Sequence, residues 1–136
     1  MRIVPLVLLA SVAASCSYTG APPPMAERTP QQASKLAALT AGRVAGPPLS
    51  CLPSFRSGDM RVIDESTVAF RDGARVYVNH MQGGCANLNG STTLVTRSGG
   101  TGLCRGDIAQ VVDPLSSIPV GSCAFGDFIP YTRPRA

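Results

Sequence analysis

The sequence has no tryptophan, a single histidine, and few charged or aromatic side chains. Charged residues make up 15% of the chain, whereas typical soluble domains contain about 25%. The basic residues are mostly arginines that occur one at a time, and no run resembles the clustered basic footprint of a nucleic-acid-binding protein. We therefore expect no nucleic-acid partner, although the formal net charge of +4 favours anionic partners over basic ones.

The sequence also lacks an N-terminal apolar run long enough to cross a membrane. Residues 3–14 are uncharged and apolar, but a spanning helix needs about 20 such residues. The run follows Arg2 and fits the apolar core of a signal peptide, which is typically about 7–15 residues long. We therefore expect an export signal at the N terminus instead of a transmembrane helix.

This signal ends in Ala13-Ala14-Ser15-Cys16, which resembles the bacterial lipobox. The resemblance predicts a lipoprotein signal peptide over residues 1–15 and a lipidated Cys16 as the new N terminus. The alternative is an ordinary secretory signal cut after Ala14 or beyond, but ordinary secreted proteins seldom keep an unpaired thiol. Ser17 follows the cysteine, and the resemblance to enterobacterial lipoproteins then implies the outer membrane. We expect an exported protein on the periplasmic side of the bacterial cell envelope.

Four cysteines remain once Cys16 is set aside, and an even number in an exported chain predicts two disulfides. They lack the close cysteine pairs of zinc sites, and His80 is the only histidine. We therefore expect neither a metal nor a cofactor. Four cysteines allow three connectivities; we prefer Cys51–Cys123 with Cys85–Cys104, because the first and last strands of a small barrel tend to be neighbours.

Residues 16–50 read as a lipid-anchored spacer rich in proline and alanine, with a short helix at about residues 30–41. Thr29 suits the N-cap, Pro30 the first helical position, and Gln32 completes a capping box. Gly42 suits the end of the helix.

Leu36 and Leu39 mark the apolar side of this helix. It either packs on the domain through these leucines or frays, and binding to a partner is a further possibility. We interpret residues 43–48 as a linker.

Residues 51–136 predict a disulfide-stapled β-domain in which turn signals separate short apolar runs. Asp72-Gly73 lies between two of these runs and predicts a type I′ hairpin with both residues in the loop. Residues 114–122 read as a loop, and Pro130 is expected to end regular pairing. The predicted fold class is all-β: a small antiparallel barrel or sandwich of five to six short strands with two disulfides. The predicted strands are residues 60–64, 67–71, 75–81, 92–97, 103–113 with a break at 105–106, and 123–131.

Four segments follow a recurring pattern: CLPSFRSGDMRVIDESTVAF, RVYVNHM with GGCANL, LCRGDI and SCAFGDFIPY. This pattern resembles a family of small exported proteins from alphaproteobacteria and related bacteria that is defined as a domain of unknown function. The resemblance covers about residues 51–130 and includes all four cysteines, with Cys85-Ala86-Asn87-Leu88 where the family has CPGL. It implies a single domain and no activity.

Catalytic signals are few. No nucleophile elbow is present, and strand alternation places His80 with Val76 and Val78, as expected for a half-buried structural histidine. Arg105-Gly106-Asp107 spells an adhesion tripeptide, but tripeptides recur by chance, and we interpret Gly106 as permitting a bulge where the strand begins. We expect no catalytic residues and predict a lipid-anchored envelope protein that acts as a non-enzymatic binding or structural module. The alternatives are a small periplasmic hydrolase-like enzyme or an inhibitor of an envelope-targeting enzyme. The expected partners are the membrane, through Cys16, and an envelope protein or anionic polymer; the oligomeric state stays open.

Overall fold

The computed structural model describes residues 27–52, 59–98 and 102–135. The predicted signal peptide, Cys16, the first part of the spacer and most of the glycine-rich stretch at residues 98–102 lie outside the described residues. The described elements are the helix α1 (Pro30–Thr40) and the strands β1 (Val44–Ala45), β2 (Cys51–Leu52), β3 (Met60–Asp64), β4 (Thr67–Asp72), β5 (Arg75–His80), β6 (Thr93–Arg97), β7 (Leu103–Cys104), β8 (Ile108–Val112), β9 (Pro119–Ala124) and β10 (Phe128–Thr132).

The strands form three antiparallel sheets, which confirms the predicted all-β class. A central five-stranded sheet has the order β1-β10-β5-β4-β3, a three-stranded sheet has the order β6-β8-β9, and β2 pairs with β7. The described strands number ten, more than the five to six predicted, because β1 and β2 were not expected and the predicted strands 103–113 and 123–131 each correspond to two strands. Within the described ranges the sheets do not close on one another, so the barrel alternative is wrong.

Helix α1 begins and ends where its capping residues predict. The Thr29 side chain accepts a hydrogen bond from the Gln32 amide, the Gln32 side chain accepts one from the Thr29 amide, and Pro30 opens the first turn. Gly42 has a φ of 67°, the left-handed conformation that commonly ends a helix. The predicted capping box and stop are therefore confirmed.

The central sheet is covered on both faces. On one face, Leu36 and Leu39 of α1 pack against a cluster of four buried side chains: Ile63, Ala69, Val76 and Val78. The alternative in which α1 frays is therefore wrong. The second apolar face of β4 and β5 requires a covering layer, and the helix supplies it.

The other face of the central sheet contributes to the main core. Phe70, Phe125 and Phe128 lie with ring centroids about 6 Å apart, at 6.3, 5.9 and 6.0 Å for the three pairs. Apolar side chains from all three sheets meet around them, among them Leu52, Leu103 and Val111. The fold is thus a central sheet with α1 on one side and the smaller sheets on the other.

The β4–β5 hairpin has a different register from the one predicted. Asp72 pairs with Arg75, so the loop is Gly73-Ala74 and Asp72 stays in the strand. Gly73 has a φ of 55°, while Ala74 is not among the residues with positive φ. A type I′ turn needs positive φ at both loop positions, so the prediction was wrong; glycine at the first position is the pattern of type II′.

Three segments that were predicted to be irregular belong to sheets. Residues 44–45, placed in the linker, form β1 and pair with β10, and the Gly46 amide donates to the Pro130 carbonyl over 2.7 Å. Residues 119–122, predicted as loop, begin β9; Pro119 is tolerated because it is the first residue of an edge strand. Strand β10 continues through Pro130 to Thr132.

The preferred disulfide pairing was also wrong. The bonds are Cys51–Cys104 and Cys85–Cys123. Cys51 lies directly opposite Cys104 in the β2–β7 pair, with Cα atoms 4.0 Å apart. The first and last strands are indeed neighbours, but these are β1 and β10, which carry no cysteine.

Candidate functional site

The described residues bring five polar side chains together at one end of the central sheet: Arg28, Asp64, Ser66, Thr67 and His80. We call this group the Arg28 cluster. It contains the single histidine of the chain, and histidine is the side chain that most readily exchanges a proton near neutral pH.

Strand register and local turns position these groups. Asp64 ends β3, and its Oδ1 accepts hydrogen bonds from the Ser66 amide at 2.8 Å and the Ser66 hydroxyl at 2.7 Å. This is the local pattern by which aspartate stabilises a turn two residues on. Thr67 begins β4 directly opposite His80, the last residue of β5. His80 lies on the same face as Val76 and Val78, as the alternation predicted.

Arg28 joins this group from a distant part of the chain. Its Nε donates to Asp64 Oδ2 over 2.7 Å, and its Nη2 donates to Thr67 Oγ1 over 2.6 Å. Because Arg28 directly precedes the N-cap of α1, the two bonds fix the start of the helix to the end of the sheet.

The electrostatics of the cluster favour one protonation state. Burial raises the pKa of Asp64, but hydrogen bonds from the Ser66 side chain and amide and from Arg28 outweigh it and lower that pKa below its usual value. Burial and the nearby Arg28 charge lower the pKa of His80, and the Asp64 carboxylate only partly opposes them. At neutral pH the cluster therefore holds an ionised Asp64, a charged Arg28 and a neutral His80.

The polar groups of the cluster are hydrogen-bonded to one another. Thr67 Oγ1 lies 3.3 Å from His80 Nδ1, a hydroxyl–imidazole contact of the kind that nucleophilic catalysis uses. However, Thr67 is completely buried and its oxygen already accepts from Arg28. Asp64 contacts Ser66 and Arg28, and no hydrogen bond joins it to His80 among those described. Nor does any group of three or more possible metal ligands occur in residues 27–52, 59–98 and 102–135.

A second polar contact holds the loop before β10. Asn79 is fully buried; its Nδ2 donates to the Gly126 carbonyl over 2.8 Å, and the Gly126 amide donates to Asn79 Oδ1 over 3.1 Å. A Cβ atom on Gly126 would lie 2.3 Å from the His80 carbonyl oxygen, so only glycine fits there. Sequence reasoning missed this contact and the Arg28 bonds, because both join residues more than 35 positions apart.

The adhesion tripeptide has structural partners. Arg105 Nη1 lies 3.2 Å from Asp127 Oδ1, and Asp107 Oδ2 accepts a hydrogen bond from the Cys104 amide over 2.8 Å. Gly106 has a φ of 89°. These three residues form the turn between β7 and β8, instead of the expected bulge at the start of a strand.

The two ends of the central sheet differ in charge. Arg43, Arg71, Arg75, Arg133 and Arg135 lie at the end that carries the β4–β5 turn, as the registers of β1, β10, β5 and β4 show. We call this the arginine end. The opposite end carries the Arg28 cluster together with Glu27, Glu65 and Asp127.

Comparisons with known proteins provide no assignment for this chain. No helix of the described ranges is both long and apolar enough to span a membrane. The family resemblance stays a prediction. The chain matches no protein-family model, no curated protein and no solved structure.

Proposed function

We propose that this chain is a lipid-anchored protein of the bacterial cell envelope whose β-domain is a non-enzymatic binding or structural module. The observation that carries the proposal is the pair of disulfides, Cys51–Cys104 and Cys85–Cys123. Disulfides form and persist in oxidising compartments, so the folded domain belongs outside the cytoplasm. Export is also what the signal-like residues 1–15 predict.

Lipid anchoring through Cys16 is consistent with this use of the cysteines. All four of the other cysteines are in disulfides, so Cys16 has no partner thiol within the chain and is left for another role. Acyl chains contribute about 0.8 kcal/mol per buried methylene, and more than one chain gives stable anchoring. The outer membrane is the proposed destination.

The Arg28 cluster supports a non-enzymatic role. A catalytic hydroxyl has to reach a substrate, whereas Thr67 is buried and bonded to Arg28. The cluster instead connects the segment that carries the proposed anchor to the domain. The charge difference between the two ends of the sheet supports binding, because exposed guanidinium groups recognise phosphate and carboxylate.

The test is metabolic labelling with a palmitate analogue in a bacterial host, comparing the full chain with Cys16→Ser. The proposal predicts label in the wild type and none in the variant. Absence of label in the wild type, or label that persists in Cys16→Ser, would exclude the anchor.

The enzyme alternative has its own test. The purified full chain and His80→Gln are assayed on chromogenic esters and glycosides. Equal background rates support the binding or structural module. A hydrolytic activity of the wild type that His80→Gln abolishes would replace that proposal with an enzyme.

A further inference from the structure

The arginine end gathers charge across four neighbouring strands. Asp72 pairs with Arg75, Val76 pairs with Tyr131 and Val44 pairs with Thr132. Neighbouring strands lie about 4.8 Å apart, so the four strand ends span about 15 Å. The result is a row of arginines along one edge of the molecule: Arg43, Arg71, Arg75, Arg133 and Arg135.

Most of this row faces solvent. Arg71, Arg75, Arg133 and Arg135 are exposed, and Arg43 is partly buried. Arg43 is fixed in place, because its Nη1 donates to the Leu39 carbonyl over 3.0 Å and its Nε to the Ala74 carbonyl over 3.3 Å. Asp72 and Asp59 are the carboxylates at this end, which leaves an excess of three positive charges (five arginines minus two aspartates).

The chain joins the domain at the opposite end. Arg28 is bonded to Asp64 and Thr67, and α1 then runs along the sheet until Arg43 reaches the β4–β5 turn at Ala74. The helix has 11 residues, so it covers about 16 Å, close to the length of β4. The segment that precedes residue 27 therefore leaves from the end farthest from the arginine row.

The end where the chain joins carries the opposite charge. Its carboxylates are Glu27, Asp64, Glu65 and Asp127, and its arginines are Arg28 and Arg105. Both arginines are paired with aspartates, so Glu27 and Glu65 leave an excess of two negative charges (four carboxylates minus two arginines). The central sheet thus has a negative end beside the anchor segment and a positive end away from it.

We propose that the arginine end binds a linear anionic polymer of the cell envelope, one that bears a phosphate or carboxylate on each repeat. Guanidinium groups bind both anions through paired, charge-assisted hydrogen bonds. A row of arginines spaced at strand intervals suits an extended chain of charges. The anchor segment leaves from the other end, so the domain connects the membrane to the polymer; this connecting role rests on the proposed function, whereas polymer binding does not.

Charge and geometry favour a polymer over the membrane surface. The first described residues, Glu27 and Arg28, lie at the negative end, so the proposed anchor joins the domain there. An anionic lipid surface repels the carboxylates at that end, whereas a polymer can bind the arginine row at the other end without bringing them close to a negative surface.

The experiment measures binding of the full chain with Cys16→Ser, in non-ionic detergent, to fluorescent inorganic polyphosphate and to fluorescent polyglutamate. The two probes distinguish phosphate from carboxylate recognition. We expect binding to at least one probe at 50 mM salt, weakening with added salt, because screening reduces interactions between exposed charges.

Two double variants with the same change in net charge locate the site. Arg71→Gln with Arg133→Gln removes two exposed arginines of the row, and we expect affinity to fall about tenfold because two charge-assisted contacts are lost. Arg97→Gln with Arg105→Gln removes two exposed arginines elsewhere, and we expect less than about a threefold loss, because exposed charges away from the contact contribute little.

Three outcomes would overturn the inference. An equal loss of affinity in both double variants would show that the polymer is attracted by the net charge of the protein and not by the arginine end. The absence of binding to both polyphosphate and polyglutamate would exclude an anionic polymer as the ligand of the arginine end. Tighter binding to detergent micelles that contain phosphatidylglycerol than to either polymer, with no binding to micelles that contain neutral phosphatidylcholine, would assign the arginine end to the membrane. Every binding measurement uses Cys16→Ser, so its result does not depend on whether Cys16 is lipidated.

Discussion

Arg28 precedes Asp64 by 36 positions in the chain, yet Arg28 Nε and Asp64 Oδ2 are 2.7 Å apart. The side chains are 27% and 9% exposed, so the pair is partly withdrawn from water. It fastens the start of α1 to the central sheet at the point where the proposed anchor segment meets the folded domain.

Removing the arginine should therefore destabilise the domain. We expect Arg28→Gln to lower the free energy of unfolding by about 1–3 kcal/mol, because the charged Asp64 stays buried without its cation. Urea unfolding measures this. The matched control is Arg105→Gln, which removes an exposed pair with side chains 54% and 41% exposed; such pairs contribute less than about 1 kcal/mol. Equal losses in the two variants would show that the Arg28 pair is no stronger than a surface contact.

Acidification should destabilise the domain in two steps. The pKa of His80 is lowered in the folded state from its usual value of 6.5. As the pH falls below 6.5, the unfolded chain therefore takes up a proton at this histidine before the folded protein does. Stability is therefore lost as pH falls from about 6.5 towards the lower folded pKa. Asp64 also has a lowered pKa, so its contribution is present above its usual value of 3.8 and is lost as pH falls below that.

Unfolding curves of the wild type and His80→Gln between pH 7.5 and pH 3 separate these steps. His80→Gln should remove the loss between pH 7 and pH 5 and keep the loss below pH 4. If the free energy of unfolding fell equally in the two proteins between pH 7 and pH 5, that step could not be assigned to His80.

The contact between Asn79 and Gly126 predicts two large losses of stability. Asn79→Ala leaves the Gly126 amide and carbonyl without their partner, and we expect a loss of about 2–4 kcal/mol. Gly126→Ala places a Cβ atom 2.3 Å from the His80 carbonyl oxygen, and we expect a loss of at least about 2 kcal/mol. Gly90→Ala is the control, because nothing lies within 4 Å of its Cβ position. Losses in all three variants within about 0.5 kcal/mol of one another would contradict the argument from packing.

The two disulfides should contribute different amounts to the stability of the folded domain. Their loops span 53 and 38 residues, so chain entropy predicts about 4 kcal/mol for each. Cys85 and Cys123 lie in the core at 0% and 7% exposure, whereas Cys51 is exposed. The double change Cys85→Ala with Cys123→Ala should therefore destabilise more than Cys51→Ala with Cys104→Ala, as measured by thermal unfolding. Peptide mapping without reduction should recover the Cys51–Cys104 and Cys85–Cys123 pairs; a Cys51–Cys123 peptide would contradict the sheet order.

Local features were the predictable ones. The capping box of Thr29 and Gln32 lies within one helical turn, so the sequence alone located α1. The strands β3, β4 and β5 were located because each is a short run of apolar and β-branched residues between turn signals. The turn after Asp64 was located because the hydrogen bonds that stabilise it join Asp64 to Ser66, two positions away.

Features that depend on how strands pair with one another were not predictable. The hairpin register depended on whether Asp72 belongs to the loop, and its cross-strand pairing with Arg75 keeps it in the strand. The disulfide pairing depended on β2 meeting β7, two strands too short for a periodic signal. The Arg28 cluster and the arginine end depended on the order of strands in the central sheet, which no local pattern encodes.

The central claim, an exported domain held by a lipid at Cys16, is tested most directly by mass spectrometry of the N-terminal peptide of the mature protein, purified from bacterial membranes. We predict a peptide that begins at Cys16 and carries the mass of a diacylglyceryl group. A peptide that begins at another residue, or an unmodified Cys16, would contradict the claim.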